Sequence, residues 1–452
     1  MLYAKEIPTT SHYDVVVCGG GYTGFAAAYA AARERLSVLI IEKGSCLGGV
    51  GTAGLVNDIL GQRRYENGKL ENSVKGIYCE LERRLLQSGH AVDSNTLDPS
   101  LHAHGWLPFL ATGLIYDNEY MKNLLETMLR EVGADILYYT DIIDIVRTDS
   151  RIDGVIIHNK DGLSEVTASM FVDATGDGDI CHYAGVPSDL GDEEGGLAAA
   201  SLEMHVDHVD SAALFNYMKE TKDTRFRKII GELREAGIWK FPYEIFISVK
   251  MCADDVYMIN TIRQVGIDGT DAKSMTNGTI DGRAENMSLL EIMRAHFPGF
   301  KNAKIRQIAP VIGIRETRRI HGDYTLSVQD LIDSVVFDDS IAVSSYGWDL
   351  PHPKHPSLQP SHGIKRRTPY AHIPYRCLLP VGMDNLIMAG RCISCEREVL
   401  GPVRVMGPCL AMGECAGIAA KLALDGGCGF RGVDVAKLQA KIEAYGGITR
   451  ME

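Results

Sequence analysis

The sequence has no long apolar run and no excess of positive charge. None of its segments reaches the roughly 18 consecutive apolar residues that a membrane-spanning helix needs, and residues 1–12 lack the apolar core of a signal peptide. Its 46 Lys and Arg are outnumbered by 59 Asp and Glu, which gives a net charge of −13. An acidic surface repels phosphates. We therefore expect no transmembrane segment and no nucleic-acid partner.

A disulfide framework and a metal-binding pattern are also missing. Eleven cysteines, an odd number, are scattered along 452 residues, which is typical of reduced thiols in a cytoplasmic protein. Cys392 and Cys395 form a C-x-x-C pair, but no second pair has matching spacing, and His352 and His355 lie outside an H-E-x-x-H pattern. We predict a cytoplasmic protein without a metal site. A redox role for the Cys392/Cys395 pair stays open.

The first of three glycine-bearing segments follows an apolar run at 15–18, typical of a parallel strand buried on both faces. Gly19, Gly21 and Gly24 match G-x-G-x-x-G, which permits a tight turn, a close backbone approach to a pyrophosphate and close packing of the predicted helix 22–35. A second apolar run ends at Glu42, near the roughly 20-residue spacing expected of a ribose-binding carboxylate. The pattern predicts a dinucleotide at the helix N-terminus.

A second match to the same spacing, at residues 49–54, has no strand before it. We interpret residues 48–54 as a flexible loop that folds back under the cofactor. Because the sequence contains no other convincing dinucleotide motif, a built-in NADPH domain is not expected.

The other two segments are Phe-Val-Asp-Ala-Thr-Gly-Asp-Gly-Asp at 171–179 and Asn-Leu-Ile-Met-Ala-Gly-Arg at 385–391, the latter leading into an Ala/Gly-rich helix. Each segment alone is weak evidence. In this order, an FAD protein explains all three better than a fold that binds NAD alone.

The sequence between the motifs predicts the domain organisation. Helical periodicity covers 118–133, and strands are expected at 136–146, 152–158 and 166–172 as a small antiparallel excursion. Further strands are expected near 200–206 and 377–380, with helices near 211–219 and 287–296. We predict an α/β fold: a Rossmann-type FAD-binding domain (1–190 and 376–452) with an inserted α+β substrate domain (191–375).

With these segments in place, the sequence resembles the FAD-dependent oxidoreductase family related to the flavoprotein subunits of succinate dehydrogenase and fumarate reductase, which are two-dinucleotide-binding-type flavoproteins. The resemblance is carried by residues 19–24, 172–179, 312–320, 373–376 and 389–394. It implies a bound FAD, with Glu42 on the adenosine ribose and Asp179 near the ribityl or phosphate region. Many relatives carry an acid where this chain has Arg391.

The motifs and the resemblance together give the predicted cofactor-binding residues. They are Gly19, Gly21, Tyr22, Thr23, Gly24, Glu42, Lys43, Gly48, Gly49, Thr52, Ala174, Thr175, Gly176, Asp179, Gly390, Arg391, Gly407, Cys409 and Leu410.

Four residues are candidates for catalysis. Arg404 matches the arginine that binds the substrate carboxylate in the succinate dehydrogenase pattern, although one extra residue precedes Gly407 here. Arg315 lies in the densest charge cluster, and either arginine could clamp a carboxylate or serve in a structural ion pair. His352 and His372 are the proton-transfer candidates, because imidazole titrates near neutral pH. An ordinary loop histidine is the alternative for each.

A helix beginning near Pro408 would direct its positive end at the flavin N1/O2 edge, where reduction places negative charge. We therefore expect an FAD-dependent dehydrogenase or reductase that exchanges hydride between flavin N5 and a small polar metabolite bearing carboxylate or hydroxyl groups. The electron acceptor is open between oxygen, a quinone and a protein. Two further hypotheses are a flavoprotein that uses a Cys392/Cys395 dithiol, and a non-catalytic subunit that only carries electrons.

Overall fold

A computed structural model describes residues 6–66, 69–93, 103–104, 112–357 and 363–451. The strands are β1 Thr9–Cys18, β2 Val38–Ile41, β3 Asp58–Ile59, β4 Arg63–Glu66, β5 Lys69–Asn72, β6 Ala103–His104, β7 Leu114–Ile115, β8 Asp135–Leu137, β9 Asp141–Thr148, β10 Arg151–Asn159, β11 Gly162–Asp173, β12 Ser188–Leu190, β13 Met204–Asp207, β14 Ser248–Lys250, β15 Tyr257–Ile259, β16 Lys304–Ile308, β17 Arg318–Ile320, β18 Ser340–Ser344, β19 Ala371–Pro374 and β20 Leu386–Met388. The helices are α1 Tyr22–Arg33, α2 Ile77–Ser88, α3 Asn118–Glu131, α4 Asp179–Tyr183, α5 Ser211–Thr221, α6 Arg227–Glu235, α7 Ala272–His296, α8 Val328–Asp333, α9 Leu400–Val403, α10 Met406–Gly426 and α11 Val435–Ala444.

The main sheet contains the strands that end in the three glycine segments. Strands β8, β2, β1, β11 and β20 lie side by side and pair in parallel. On the side of β11 away from β1, its second half pairs with β20 and its first half pairs with β10. Strand β10 in turn pairs with β9, and the pairings of β10 with β11 and with β9 are antiparallel. This is the predicted α/β architecture with its antiparallel excursion. Parallel pairing brings the carboxyl ends of β1, β11 and β20 to one edge, where ligands bind in such sheets.

Helices α1 and α10 pack closely on one face of this sheet because small residues line their contact. A Cβ added at Gly413 would overlap the Thr23 carbonyl oxygen, and one added at Gly417 would overlap the Ala27 carbonyl oxygen. Among the described residues, α10 is the one helix long and apolar enough to cross a membrane by composition. Most of that helix is buried in the hydrophobic core that it shares with α1.

A second sheet forms in the middle of the chain, with the strand order β16-β13-β15-β14-β6. Its own core contains a cluster of aromatic side chains from the segments on either side of α6 and from the segment just after α7, including Phe226, Trp239, Phe246, Phe297 and Phe300. This unit provides one wall of the cavity described below. The domain boundaries at 190/191 and 375/376 stay a prediction.

Two sequence predictions of local structure need correction. Residues 377–380 do not form a strand, since a 3-10 helix spans Tyr375–Leu378; a short buried apolar run does not distinguish the two conformations. Helix α7 begins at Ala272, well before the predicted residue 287. Gly278 and Gly282 lower the helix propensity there, yet both are buried against Ile267 and Leu202, so packing outweighs propensity.

Candidate active site

The first glycine turn leaves room for a ligand at the start of α1. Gly19 has a φ of +101°, and a Cβ at Gly24 would overlap the Gly19 carbonyl oxygen, so both positions require glycine. Gly21 is the N-cap of α1, and no side chain caps it. A Cβ added at Gly21 would meet no atom of the described chain within 4 Å. This open, uncapped helix end, which includes Tyr22 and Thr23, fits a pyrophosphate.

Glu42 is held at the end of β2 by two backbone amides. Its Oε2 accepts a hydrogen bond from Gly20 N at 2.7 Å, and its Oε1 accepts one from Gly44 N at 2.6 Å. The next residue, Lys43, is exposed. This fixed carboxylate lies beside the glycine turn, where a ribose diol would need an acceptor.

The predicted loop at 48–54 is tied to the first turn by hydrogen bonds rather than free. Gly48 N donates to Gly20 O at 2.8 Å, and Gly49–Gly51 form a 3-10 turn that the Thr52 hydroxyl closes onto Leu47 O. The hydroxyl of Tyr22 donates to that of Tyr116 at 2.9 Å, and Tyr116 donates to Gly51 O at 2.7 Å. A continuous chain of buried contacts therefore links α1 to this loop.

The second and third segments meet at the same edge of the sheet. Ala174 N donates to Cys18 O at 2.9 Å, beside Thr175 and Gly176, and Gly390 has a φ of +95° with its Cα turned towards Thr23. Segments that lie far apart in the sequence thus converge around the N-terminus of α1.

Two acids of the second segment are paired with arginines. Arg391 Nη2 lies 2.7 Å from Asp177 Oδ1, and Asp179 Oδ1 accepts from Arg318 Nη1 at 2.8 Å. Burial alone would raise the pKa of Asp177, but Arg391, Thr317 and Lys43 lower it below its usual value. Arg391, which stands where many relatives have an acid, therefore neutralises an acid of the second segment.

A cavity of about 130 Å³ lies next to the N-terminus of α10, between the loop at 48–56 and the second sheet. Val405 is the N-cap of α10 and no side chain caps it; Gly407, Cys409 and Leu410 follow in the first turns, and Pro408 occupies the first turn as expected. Apolar side chains form much of the cavity wall, among them Val50, Val56, Leu60, Ile247, Val249, Met258, Ile314, Val405 and Met406.

Three arginines and three acids share this cavity: Arg263, Arg315, Arg404, Asp58, Glu203 and Asp349. Each arginine is anchored by a backbone carbonyl. Arg315 Nη1 donates to Ala199 O at 2.6 Å, Arg404 Nη2 donates to Asp349 O at 2.8 Å, and Arg263 Nη1 donates to Pro356 O.

Burial changes the protonation of the acids. It raises the pKa of Glu203 to about 8, although the charges of Arg315 and Arg263 oppose the shift. Burial also raises the pKa of Asp58 well above its ordinary value, against the lowering effect of Arg63. Burial and the two neighbouring arginines lower the pKa of Arg315 only to about 10. At neutral pH the cavity therefore carries an excess of positive charge.

Several buried polar atoms in this cavity have no hydrogen-bond partner among the described residues. They are Asp58 Oδ1, Ser201 Oγ, Glu203 Oε2, Asn260 Oδ1, Arg263 Nε and Arg404 Nε. Native proteins leave few such atoms unsatisfied, because each costs roughly 1–3 kcal/mol. Their concentration in one cavity indicates a site for a polar ligand.

The structure does not bring the two candidate histidines to this cavity. His352 lies in a surface loop, where its Nδ1 accepts from Lys354 N at 3.1 Å and His355 N at 3.2 Å. His372 is buried in β19, and its Nε2 lies 3.0 Å from Met451 O. Burial lowers the pKa of His372. Both contacts are typical of structural histidines.

The rest of the arginine cluster forms a buried ion-pair network. Glu316, which is 0% exposed, accepts from Arg319 Nη1 at 3.0 Å and from Arg397 Nε and Nη2, both at 2.8 Å. Of the residues 315, 318 and 319, only Arg315 lines the cavity.

Sequence reasoning missed Arg263, Glu203, Asp58 and Asp349. Glu203 gave no signal of its own, since apolar and polar residues alternate along the predicted strand 200–206 and Glu203 falls on the polar side with Ser201 and His205. The pairing of β13 with β15 brings Arg263 towards Glu203, and Asp58 and Asp349 reach the cavity from other, distant parts of the chain.

Comparison with known proteins identifies a family for this chain. The sequence profile of the family described as FAD dependent oxidoreductase matches residues 14–442. The chain is 28% identical over 185 residues to digeranylgeranylglycerophospholipid reductase 2 of Methanothermobacter thermautotrophicus, covering 39% of this chain and 44% of that protein. It is 26% identical over 244 residues to digeranylgeranylglycerophospholipid reductase of Thermoplasma acidophilum, covering 51% and 53%. The matches thus span about half the length of these curated relatives.

Solved structures with a similar chain path include a geranylgeranyl bacteriochlorophyll reductase-like protein from Thermoplasma acidophilum (TM-score 0.46, 14% identity, 96% of this chain and 84% of that chain). They also include the flavin-dependent brominase Bmp2 (TM-score 0.44, 13% identity, 96% and 82%).

Proposed function

The chain belongs to the FAD dependent oxidoreductase family, and we propose that it exchanges hydride between flavin N5 and a small carboxylate-bearing metabolite held in the arginine-lined cavity. FAD is the cofactor of this oxidoreductase. When bound, the flavin supplies the two-electron chemistry of the reaction. The predicted cofactor residues, from the glycine turn at 19–24 to Gly390 and the start of α10, fit such a molecule.

One observation carries the proposal of an anionic substrate. Arg263, Arg315 and Arg404 come from three distant parts of the chain and meet at one small cavity. Burial keeps Glu203 largely protonated there and also raises the pKa of Asp58. Guanidinium groups bind carboxylates through paired, charge-assisted hydrogen bonds. A substrate carboxylate would neutralise the excess charge.

The cavity also favours orientation and the exclusion of water. Backbone carbonyls hold the arginines in place, and the arginines would in turn fix the position of a bound carboxylate. The apolar side chains of the wall would exclude water from the reacting carbon. Fixed orientation in a dry site accelerates transfer without any further chemical group. Arg404 supports a closer relation to the succinate dehydrogenase and fumarate reductase flavoproteins, which stays a prediction.

A lipid substrate is the second candidate. The curated relatives are named as reductases of digeranylgeranylglycerophospholipid, and apolar residues such as Val50, Ile247 and Met258 line this cavity. An isoprenoid chain could lie against that wall. The arginines favour an anionic group. A carboxylate supplies one inside this small cavity, whereas the isoprenoid hydrocarbon of a lipid supplies none.

A dithiol reaction and a purely electron-carrying role receive less support. Burial raises the pKa of Cys392 well above its ordinary value and that of Cys395 to about 12, whereas a reactive dithiol needs a thiolate. A subunit that only carries electrons would not need an arginine-lined cavity. Because all eleven cysteines are free thiols, we also propose a cytoplasmic location.

Anaerobic titration of the FAD-loaded protein tests this proposal. Small hydroxy- and amino-carboxylates, and in parallel isoprenoid lipids in detergent, are added to the oxidised protein while flavin absorbance is recorded; the reduced protein is titrated with unsaturated and oxo-carboxylates. Bleaching or reoxidation by a carboxylate supports the proposal. A response to lipids alone favours the second candidate, and no response by any compound contradicts both.

A further inference from the structure

Glu203 is the most deeply buried carboxyl group of the cavity and is held on a rigid support. It precedes β13, which pairs on both sides with β15 and β16, and its carbonyl accepts from Ala309 N at 2.9 Å. The residue is 2% exposed. Its Oε2 has no hydrogen-bond partner among the described residues, and Glu203 is one of the residues that line the cavity.

The groups around Glu203 come from several elements. Arg263 follows β15, Arg315 precedes β17, and Asp58 lies in β3 across the cavity. Arg404 and Asp349 complete the set of charged groups, and they pair with each other at 3.7 Å. A carboxyl group buried among arginines stays protonated near neutral pH when desolvation exceeds their attraction, as the raised pKa of Glu203 indicates.

We propose that Glu203 is the proton-transferring residue of this cavity, with its carboxyl group giving a proton to the substrate. The proposal rests on the function proposed above. In the reductive direction, hydride from the reduced flavin forms a C–H bond at one end of a substrate double bond, and the Glu203 proton forms a bond at the other end. The double bond becomes a single bond, the flavin is oxidised, and Glu203 is left as a carboxylate that solvent reprotonates. Oxidation is the reverse of these bond changes.

The chemistry of the site favours Glu203 over the other proton carriers. A general acid works best when its pKa lies near the working pH, which holds for Glu203. Glu203 is also the acid whose pKa is influenced by the cavity residues Arg315 and Arg263, whereas the charge that acts on Asp58 is that of Arg63. His352 and His372 lie outside the cavity lining. Burial lowers the pKa of the nearby His205 to about 4, and its Nε2 already contacts Leu55 O at 3.1 Å.

The first test needs no substrate. Infrared difference spectra of the FAD-loaded protein are recorded between pH 6 and pH 10, with flavin absorbance as the check of loading. We expect a protonated-carboxyl band that disappears with a midpoint near pH 8, is missing in Glu203→Gln and persists in the exposed control Glu291→Gln. A band with this midpoint in Glu203→Gln, or its absence from the wild type, overturns the proposal.

The second test uses whichever compound reacts with the flavin in the titration described above. With a compound that reoxidises the reduced flavin, Glu203 acts as an acid, and the single-turnover rate of hydride transfer in the wild type should fall above pH 8. With a compound that reduces the flavin, Glu203 acts as a base, and the rate should rise through pH 8. In either direction Glu203→Gln should be slower by roughly 10²–10⁴-fold and lack this pH dependence. Glu203→Asp keeps an acid and should recover part of the rate and the pH dependence. An unchanged rate in Glu203→Gln contradicts the role of Glu203 alone. If no compound reacts, the proposed function fails, and the role of Glu203 fails with it.

Discussion

Arg315 and Glu203 show how burial determines what this cavity can bind. Both side chains line the same 130 Å³ space, and the arginine stays charged while burial keeps the carboxyl largely protonated. If Glu203 were ionised, it would form a salt bridge with Arg315 and occupy the charge that a substrate anion needs. The shift of Glu203 instead leaves Arg315 available to a substrate anion.

Replacement of Arg315 should therefore weaken substrate binding and leave the cofactor in place. A charge-assisted hydrogen bond contributes roughly 1.5–3 kcal/mol, so Arg315→Met should lower kcat/KM by about 10- to 100-fold. The exposed control Arg294→Met should have no effect. Steady-state kinetics with the identified substrate, alongside flavin content, measures both. An Arg315→Met enzyme with wild-type kcat/KM would show that Arg315 is structural.

Protein stability should report the protonation of Glu203. Its folded-state pKa of about 8 exceeds the ordinary 4.5, so the stabilising effect of its proton is complete below pH 4.5 and is lost as pH rises through 8. The Tm of the wild type relative to Glu203→Gln should therefore fall between pH 5 and pH 9. Differential scanning calorimetry at both pH values measures this. A constant difference would mean that Glu203 does not titrate in this range.

At the scale of elements, the glycine turn at 19–24, where we expect the cofactor to bind, is formed by residues close together in the sequence. It can therefore be predicted from the sequence. A strand, three spaced glycines and a helix lie within one short segment, and the turn follows from their spacing. The cavity is different, because Arg263 and Glu203 meet only through antiparallel pairing within the second sheet. The spacing of residues along the sequence carries no such information, which is why the sequence points to His352 and His372 and not to Glu203.

The open position of Gly21 at the start of α1 predicts that one glycine substitution weakens FAD binding without destabilising the protein. A Cβ at Gly21 meets no protein atom within 4 Å and the residue has a φ of −63°, so Gly21→Ala should fold normally and yet fill the space needed by the pyrophosphate. We expect at least a 10-fold loss of FAD affinity with an unchanged Tm of the apoprotein. Gly231→Ala, another open position, serves as control. Fluorescence titration with FAD measures the affinity of each variant. An unchanged affinity in Gly21→Ala would argue against a pyrophosphate bound beside Gly21.

The hydrogen bonds from Tyr22 to Tyr116 and from Tyr116 to Gly51 connect α1 to the loop at 48–54. Their loss should affect both the stability of the protein and FAD binding. Tyr116→Phe removes the hydroxyl that joins Tyr22 to Gly51 O. Buried hydrogen-bonding groups left without partners cost roughly 1–3 kcal/mol, so urea unfolding should show a loss of that size, together with weaker FAD binding. Full stability in Tyr116→Phe would mean that the loop at 48–54 is held by other contacts.

At the scale of the whole molecule, the two sheets contribute different parts of the proposed site. The main sheet gathers the three glycine segments at one edge, and the second sheet contributes Glu203 and Arg263 to the wall opposite the start of α10. A flavin held at that edge would face a cavity assembled by both units. This division explains why the family and the cofactor follow from the sequence, while the substrate depends on side chains that only the folded chain brings together.

The most direct test of the central claim is an anaerobic titration of wild-type holoprotein and Arg315→Met with the same set of carboxylates, monitored through flavin absorbance. We predict that at least one carboxylate changes the redox state of the wild-type flavin, and that Arg315→Met requires a roughly 10- to 100-fold higher concentration. Identical titration curves for the two proteins, or a flavin that responds to lipids and to no carboxylate, would contradict the account.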